Sequence, residues 1–468
     1  MKKKEDFSTW LNDIIDRAGI LDIRYPIKGT YVWRPYGFKV RANVLRILRG
    51  LLDETGHEEV LFPLLIPEEE FMKEAIHVKG FEDEVYWVTH GGLTPLNVKL
   101  ALRPTSETAI YPMFALWIRS HADMPIKVYQ VVNVFRYETK ATRPLIRLRE
   151  ITTFKEAHTA HATPEDAERQ VEEALSIYKR FFDTLGIPYV VSKRPDWDKF
   201  PGADYTIAFD TVLPDGRSLQ IGTVHNLGTN FSKTFDILFE NTQGEQEHAY
   251  QTCYGISDRV IASHIAIHGD DKGLSLMPEI APVQCVIVPI IFKGREEAVL
   301  RAVEKAEKAL KGLRVHVDRG EGTPGSKFYH WEMKGVPLRI EIGPRDAEKD
   351  TAVLVRRDTG EKKTVPLGDL SGSAAAALRE MEASMRKKAE DELKAMITEA
   401  ATLEEAARIL REKGGIIRTV WCGEKECGVE IEEVLNAKLL GTNNESASGP
   451  CIHCGGKGRH ILHISRSY

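Results

Sequence analysis

Phe135-Arg136-Tyr137-Glu138-Thr139-Lys140-Ala141-Thr142-Arg143-Pro144-Leu145-Ile146-Arg147-Leu148-Arg149-Glu150-Ile151-Thr152-Thr153-Phe154-Lys155-Glu156-Ala157-His158 is the stretch from which the rest of the chain becomes readable. Two apolar, strand-like runs, Val128–Phe135 and Ile151–Phe154, flank a loop rich in arginine and glutamate. A hairpin that offers guanidiniums beside carboxylates suits a polyphosphate nucleotide. Arginine presents a planar, permanently charged fork to phosphate oxygens, and a carboxylate accepts from an exocyclic amine. An isolated Arg-x-Glu would more often be a solvated surface pair. The neighbouring segments reverse that balance.

The 468-residue chain is 42% hydrophobic and 28% charged, with a formal net charge of −5. That length holds more than one core. The charge argues against indiscriminate coating of nucleic acid but allows a local basic face. The start, Met1-Lys2-Lys3-Lys4-Glu5-Asp6-Phe7, lacks the apolar centre of a signal peptide, and no run reaches membrane-spanning length, so a cytoplasmic protein with no membrane contact is expected.

Up to about Pro282, amphipathic helices alternate with β-rich runs. Gly37–Glu54 places Val40, Val44, Ile47, Leu48, Leu51 and Leu52 on one helical face before Gly56. Strands are expected at Val60–Ile66, Lys127–Phe135, Tyr205–Val212, Ser218–Asn226, Thr234–Phe239, Gln246–Tyr254 and Ala262–His268. Their hairpin order indicates an α+β domain with an antiparallel sheet over residues 1–282. From Val283 strands and helices alternate, which predicts a small α/β domain at 283–370. A charged, Ala-rich helical linker follows at 371–401, and a third unit fills 402–468.

That unit holds two cysteine pairs, Cys422 with Cys427 and Cys451 with Cys454. Four thiolates in paired knuckles match a closed tetrahedral zinc site with a structural role, and a redox dithiol is the other chemistry open to such pairs. Cys253 and Cys285 sit in apolar runs and read as core.

With these segments in order, the chain resembles a class II aminoacyl-tRNA synthetase, and within that class the archaeal and eukaryotic type of prolyl-tRNA synthetase. The helix and strand ending in Leu61-Phe62-Pro63 resemble motif 1, residues 135–158 motif 2, and Gly255-Ile256-Ser257-Asp258-Arg259 motif 3. Arg103-Pro104-Thr105-Ser106-Glu107, Lys199-Phe200-Pro201-Gly202-Ala203-Asp204-Tyr205 and Gln220-Ile221-Gly222-Thr223-Val224-His225 match further segments of that family. The resemblance implies a class II catalytic domain, an anticodon-binding domain and a small zinc-binding α+β domain in that order. It implies ATP-dependent ligation of L-proline to tRNA(Pro) through a prolyl-adenylate, with AMP and pyrophosphate released. ATP and Mg²⁺ would serve the reaction, Zn²⁺ the C-terminal fold, and motif 1 a homodimer.

By the same resemblance, Thr105 and Glu107 hold the proline amine, and Phe154, His158, Phe200 and His225 wall its ring. Relatives usually carry tryptophan near Phe154, so the wall falls at Thr153 or Phe154 according to register. Arg136 would bridge proline and the α-phosphate, Glu138 would meet adenine, and Arg147 and Arg259 would hold the far phosphates, with Arg136 and Arg259 as the catalytic pair. Gln220, Thr223 and Ser257 would line ribose and phosphates. Lys334, Glu341 and Arg345, with Arg339, Arg356 and Arg357 nearby, are candidate tRNA contacts. Synthetases for threonine, histidine or glycine lack the cysteine-paired unit. A catalytically idle paralogue that only binds nucleotide or tRNA is the alternative in function. Between Glu156 and Gly255 the chain has length for strands and one helix, Pro164–Leu185, and none for a large editing insertion.

Overall fold

A computed structural model describes residues 2–3, 5–75 and 84–468. Its spine is an 11-stranded sheet. From one edge the order is Ile397–Glu399, Ile416–Trp421, His460–Ser465, Lys438–Ser446, Val190–Lys193, Tyr205–Val212, Ser218–Gly228, Tyr250–Ile256, Glu150–His161, Ile126–Phe135 and Glu58–Glu59. Pairing is antiparallel throughout except at the two outermost joins. The four C-terminal strands therefore extend the catalytic sheet rather than forming a sheet of their own. At the seam Thr442 pairs with Lys193, and Gly441 makes the approach possible. It sits at φ +119°, and a Cβ there would lie 2.1 Å from the Lys193 carbonyl oxygen.

Helix Pro164–Leu185 covers the sheet. The Thr163 hydroxyl caps it by accepting from the Asp166 amide, and Gly186 ends it at φ 64°. Its inward face, including Val171, Ala174, Ile177, Tyr178, Phe181 and Phe182, repeats at helical spacing and packs over strands Ser218–Gly228 and Tyr250–Ile256.

Two expected strands take another form. Ala262–His268 lies within a helix, Arg259–His268, which is buried on every side. Such a helix has no polar face, and its apolar run is indistinguishable from a core strand by periodicity. Thr234–Phe239 splits into a short helix, Asn230–Thr234, and a strand, Leu238–Glu240, around Asp236 at φ 53°. Of Val60–Ile66 only its end is strand, as Leu65–Pro67, which pairs with Thr94–Leu102 in a separate small sheet.

Residues beyond Val283 build a five-stranded sheet in the order Val315–Val317, Cys285–Pro289, Leu338–Ile342, Thr351–Arg356, Lys362–Pro366, with helix Glu296–Ala309 against it. Arg357 clamps this unit to the first by a forked pair to Asp270 at 2.6 and 2.8 Å. Helix Leu370–Met396 then leads to the C-terminal strands.

Candidate active site

The hairpin Ile126–Phe135 and Glu150–His161 slips register once, between Val132 and Val134, and its ends pair Phe135 with Glu150. The intervening loop is held at fixed points. Arg149 N donates to Gly29 O at 2.9 Å, and Arg259 Nε to Ile146 O at 3.0 Å. Asp258, buried beside Arg259, accepts from Thr152 N at 2.9 Å. The start of helix Arg259–His268 is thus sewn to the hairpin, and arginines from both elements face one cleft of about 350 Å³.

Arg136, Glu138, Arg147, Gln220, Thr223, Ser257 and Arg259 line one part of that cleft. Arg136 Nε donates to Pro104 O at 3.1 Å, and its guanidinium lies 5.6 Å from the centre of the Phe154 ring. Arg147 sits 3.8 Å from the Glu138 carboxylate. Burial first, then the like charges of Arg136 and Arg147, push the Arg259 pKa down to about 10. Guanidiniums crowded in this way create an anion site, and a polyphosphate relieves their repulsion.

The other part is walled by aromatic rings. Phe200 and His225 lie with ring centres 4.8 Å apart, and Phe154 faces the same space. The register at the wall is explicit: Phe154 lines the cleft, whereas Thr153 is fully buried on the opposite face and accepts from Arg41 Nε at 2.9 Å. Burial drives the His225 pKa to about 3, so its ring is neutral, with Nδ1 2.8 Å from the Thr206 hydroxyl. Thr105 and Glu107 form the polar floor. His158, also expected to wall the slot, is fully buried beside the cleft-lining Glu107 and Cys253, with Nδ1 3.0 Å from the Tyr111 hydroxyl.

Two groups in this cleft escaped the sequence reading. Glu156 lies between Phe154 and His158 in the two-residue alternation of one strand face, a signal that was available. Arg194 reaches Asp210 Oδ1 and Gln220 Oε1, both at 2.9 Å, and also donates to the Leu440 carbonyl across the seam. The lone Asp210 in the apolar run Tyr205–Val212 was the hint, since a buried acid needs a partner.

The candidate tRNA contacts do not gather on one exposed face. Lys334 Nζ lies 4.3 Å from the Tyr36 ring centre, and Glu341 is buried, accepting from Arg339 Nε at 3.0 Å and Lys362 Nζ at 3.2 Å. Arg356 and Arg357 are tied to Asp358 and Asp270. Arg345 alone among these six is exposed.

Cys422, Cys427, Cys451 and Cys454 bring their sulfurs within 4.8 Å of one another, and none of the four is in a disulfide. The Gly456 backbone amide donates toward the Cys454 sulfur and lowers its pKa, whereas burial raises those of Cys422 and Cys427.

An antiparallel sheet with an arginine hairpin and a buried arginine-led helix defines a class II synthetase core. Residues 86–268 match the family model for the tRNA synthetase class II core domain (G, H, P, S and T), residues 284–374 that for an anticodon binding domain, and residues 403–468 that for the prolyl-tRNA synthetase C-terminal domain. The chain is 59% identical to the proline–tRNA ligase of Methanothermobacter thermautotrophicus over 97% of its own length and 94% of the relative's. It is 59% identical to that of Methanocaldococcus jannaschii over 93% and 96%. Among solved structures, Giardia lamblia prolyl-tRNA synthetase in complex with prolyl-adenylate superposes with a TM-score of 0.97 at 38% identity, covering 100% of this chain and 99% of that one. The Cryptosporidium parvum enzyme complexed with halofuginone and AMPPNP gives 0.95 at 35%, with the same coverage. The chain belongs to the proline–tRNA ligase family.

Proposed function

We propose that the cleft holds ATP along Arg136, Glu138, Arg147, Gln220, Thr223, Ser257 and Arg259, and proline in the slot of Phe154, Phe200 and His225 above Thr105 and Glu107. The chain is a proline–tRNA ligase, acting through an adenylate. The observation that carries the residue assignment is the meeting of a cationic groove and an apolar slot in one cavity, with Arg136 at their junction against Phe154. The proline carboxylate attacks the α-phosphorus and pyrophosphate leaves. This step needs no side-chain nucleophile. Arg136 orients the carboxylate and the α-phosphate together, and Arg259 stabilises charge on the departing pyrophosphate. Mg²⁺ belongs to this reading as the ion that would neutralise phosphate charge once the nucleotide is bound. The ribose hydroxyl at the end of tRNA then takes the prolyl group and AMP leaves.

Zinc in the C-terminal unit is supported by the four-thiol donor set, and its place there is structural. A homodimer is supported by apolar side chains left at the surface: Leu61 is 82% exposed, with Phe38, Leu64 and Leu65 also open. Arg345 is the anticodon-domain residue of the candidate set best disposed to meet tRNA. No helix among the described residues is long and apolar enough to cross a membrane, and the cytoplasm remains the proposed location. ATP–pyrophosphate exchange with each of the twenty amino acids tests the assignment. Strong exchange with proline that collapses in Arg136→Ala supports it, and exchange undiminished by that change overturns it.

A further inference from the structure

The floor of the proline slot holds two carboxyl groups. Glu107 opens helix Glu107–Trp117, Glu156 lies on strand Glu150–His161, and they are 1% and 5% exposed. The Thr105 hydroxyl is hydrogen-bonded to both, to Glu107 Oε2 and, at 2.9 Å, to Glu156 Oε1. Ser106 meets the other Glu156 oxygen.

The protons here can be counted. Phe62 N donates to Gln130 Oε1 at 3.1 Å, which fixes the amide so that its Nε2 donates to Ser106 Oγ at 2.8 Å. Ser106 therefore spends its own proton on Glu156. Thr105 has one hydroxyl proton for two carboxyl oxygens. If both acids were ionised, one of the two contacts would set lone pair against lone pair. A single proton on the pair removes the conflict: the protonated acid donates to Thr105 Oγ1, and Thr105 donates to the other acid.

We propose that the empty slot keeps one proton on the Glu107–Glu156 pair and that the secondary ammonium of proline displaces it, so that proline binding releases a proton. This rests on the assignment of the slot to proline. The exchange balances: one positive charge enters as the ammonium and one leaves as H⁺ to solvent, with no covalent bond to substrate made or broken.

The surroundings agree. Burial first, and the neighbouring Glu107 charge second, raise the Glu156 pKa to about 8, and burial raises that of Glu107. Arg136 is the cation that opposes this for both. Arg103 faces Glu156 but gives its guanidinium protons to the carbonyls of Phe62, Pro63 and Asn133. Lys155 points to the opposite face, its amine 4.3 Å from the Tyr254 ring centre, with its pKa lowered by burial. Cys253, 3.7 Å from Glu107 Oε1, keeps its proton because burial raises its pKa, and burial holds His158 neutral with a pKa of about 3.

The sign follows from linkage. A group that loses its proton on binding makes binding weaker as pH falls below the free-state pKa. Isothermal titration of proline into the full chain at pH 7, in two buffers of different ionisation heat, should show release of close to one proton. The Kd should rise about tenfold per unit of pH lowered from 7.5 to 6. Glu156→Gln keeps the partners of Thr105 and Ser106 but cannot carry the exchangeable proton, so release should fall to near zero and Kd should flatten. Intact binding by the unaltered chain with buffer-independent heat and a flat Kd would overturn the proposal and leave the slot assignment standing. An unchanged Kd in both Glu156→Gln and Phe154→Ala would instead overturn the slot assignment. Should Glu156→Gln not fold, infrared difference spectra of the unaltered chain still decide. Loss of a protonated-carboxyl band on adding proline supports the proposal, and no loss refutes it.

Discussion

Replacing Arg194 by methionine isolates one buried contact among those that join the cleft to the C-terminal strands. Arg194 and Asp210 are paired at 2.9 Å with side chains only 6% and 2% exposed. The same guanidinium supplies Gln220 and the Leu440 carbonyl. Arg194→Met keeps most of the buried volume and removes the charge, leaving the Asp210 carboxyl without that partner in a place that water barely reaches. Breaking a buried pair on one side typically costs about 3–5 kcal/mol, whereas replacing both partners by apolar groups is often close to neutral. The lost charged hydrogen bond to Gln220 adds a functional effect of about 1.5–3 kcal/mol at most, or roughly ten- to hundredfold on the apparent affinity for ATP. Guanidinium unfolding followed by tryptophan fluorescence, with ATP KM from exchange kinetics, measures both. The expected outcome is a loss of about 3 kcal/mol or more for Arg194→Met and recovery of at least half of it in Arg194→Met with Asp210→Leu. A loss below about 1 kcal/mol, or a double variant no better than the single, would refute the view that this pair is desolvated and coupled.

Three other outcomes are expected. Purified chain should carry about one zinc, and Cys451→Ser with Cys454→Ser should abolish it and speed hydrogen exchange across residues 402–468, since such sites couple binding to folding by about 10–16 kcal/mol; metal analysis finding no zinc would remove the assignment. Sedimentation should give about twice 52.7 kDa, falling to one chain in Leu61→Glu with Leu65→Glu, and a fully active monomer of the unaltered chain would defeat the motif 1 interface. Alanine and cysteine should be activated measurably, because each missing methylene is worth only about 1–3 kcal/mol in discrimination. Alanyl-tRNA should then survive, and rapid deacylation by this chain would reveal an editing site outside the cleft.

The cleft was legible because its chemistry is written in charged residues crowded into a loop between two apolar strands. Arg136, Glu138 and Arg147 stand out between Val128 and Phe154 for that reason, and the cysteine pairs stand out by spacing. What stayed hidden depended on direction or on distance in three dimensions. Ala262–His268 has the composition of a strand, and only its burial on every side explains why a helix there needs no polar face. His158 shares a strand face with Phe154, yet it is fully buried and its ring is taken up by Tyr111, at 3.0 Å from the hydroxyl. Lys334, Arg339 and Glu341 read as an RNA-facing set, but their charges are used within the protein, by Tyr36, Glu332 and Lys362. The pairing of Thr442 with Lys193 joins residues far apart in sequence, and no local pattern announces it.

That last join constrains how the chain must be made. Strand Val190–Lys193 leaves the ribosome long before Lys438–Ser446, the strand that flanks it in the finished sheet. During synthesis one side of it is bare, with unpaired amides and carbonyls of the kind that recruit strands from other chains. Closure then waits for almost the whole polypeptide, a pairing of high contact order and correspondingly slow. The nascent enzyme therefore passes through a stage in which most of its catalytic sheet exists with a sticky border, and polysomes that crowd such borders together are where it is most exposed to misassembly.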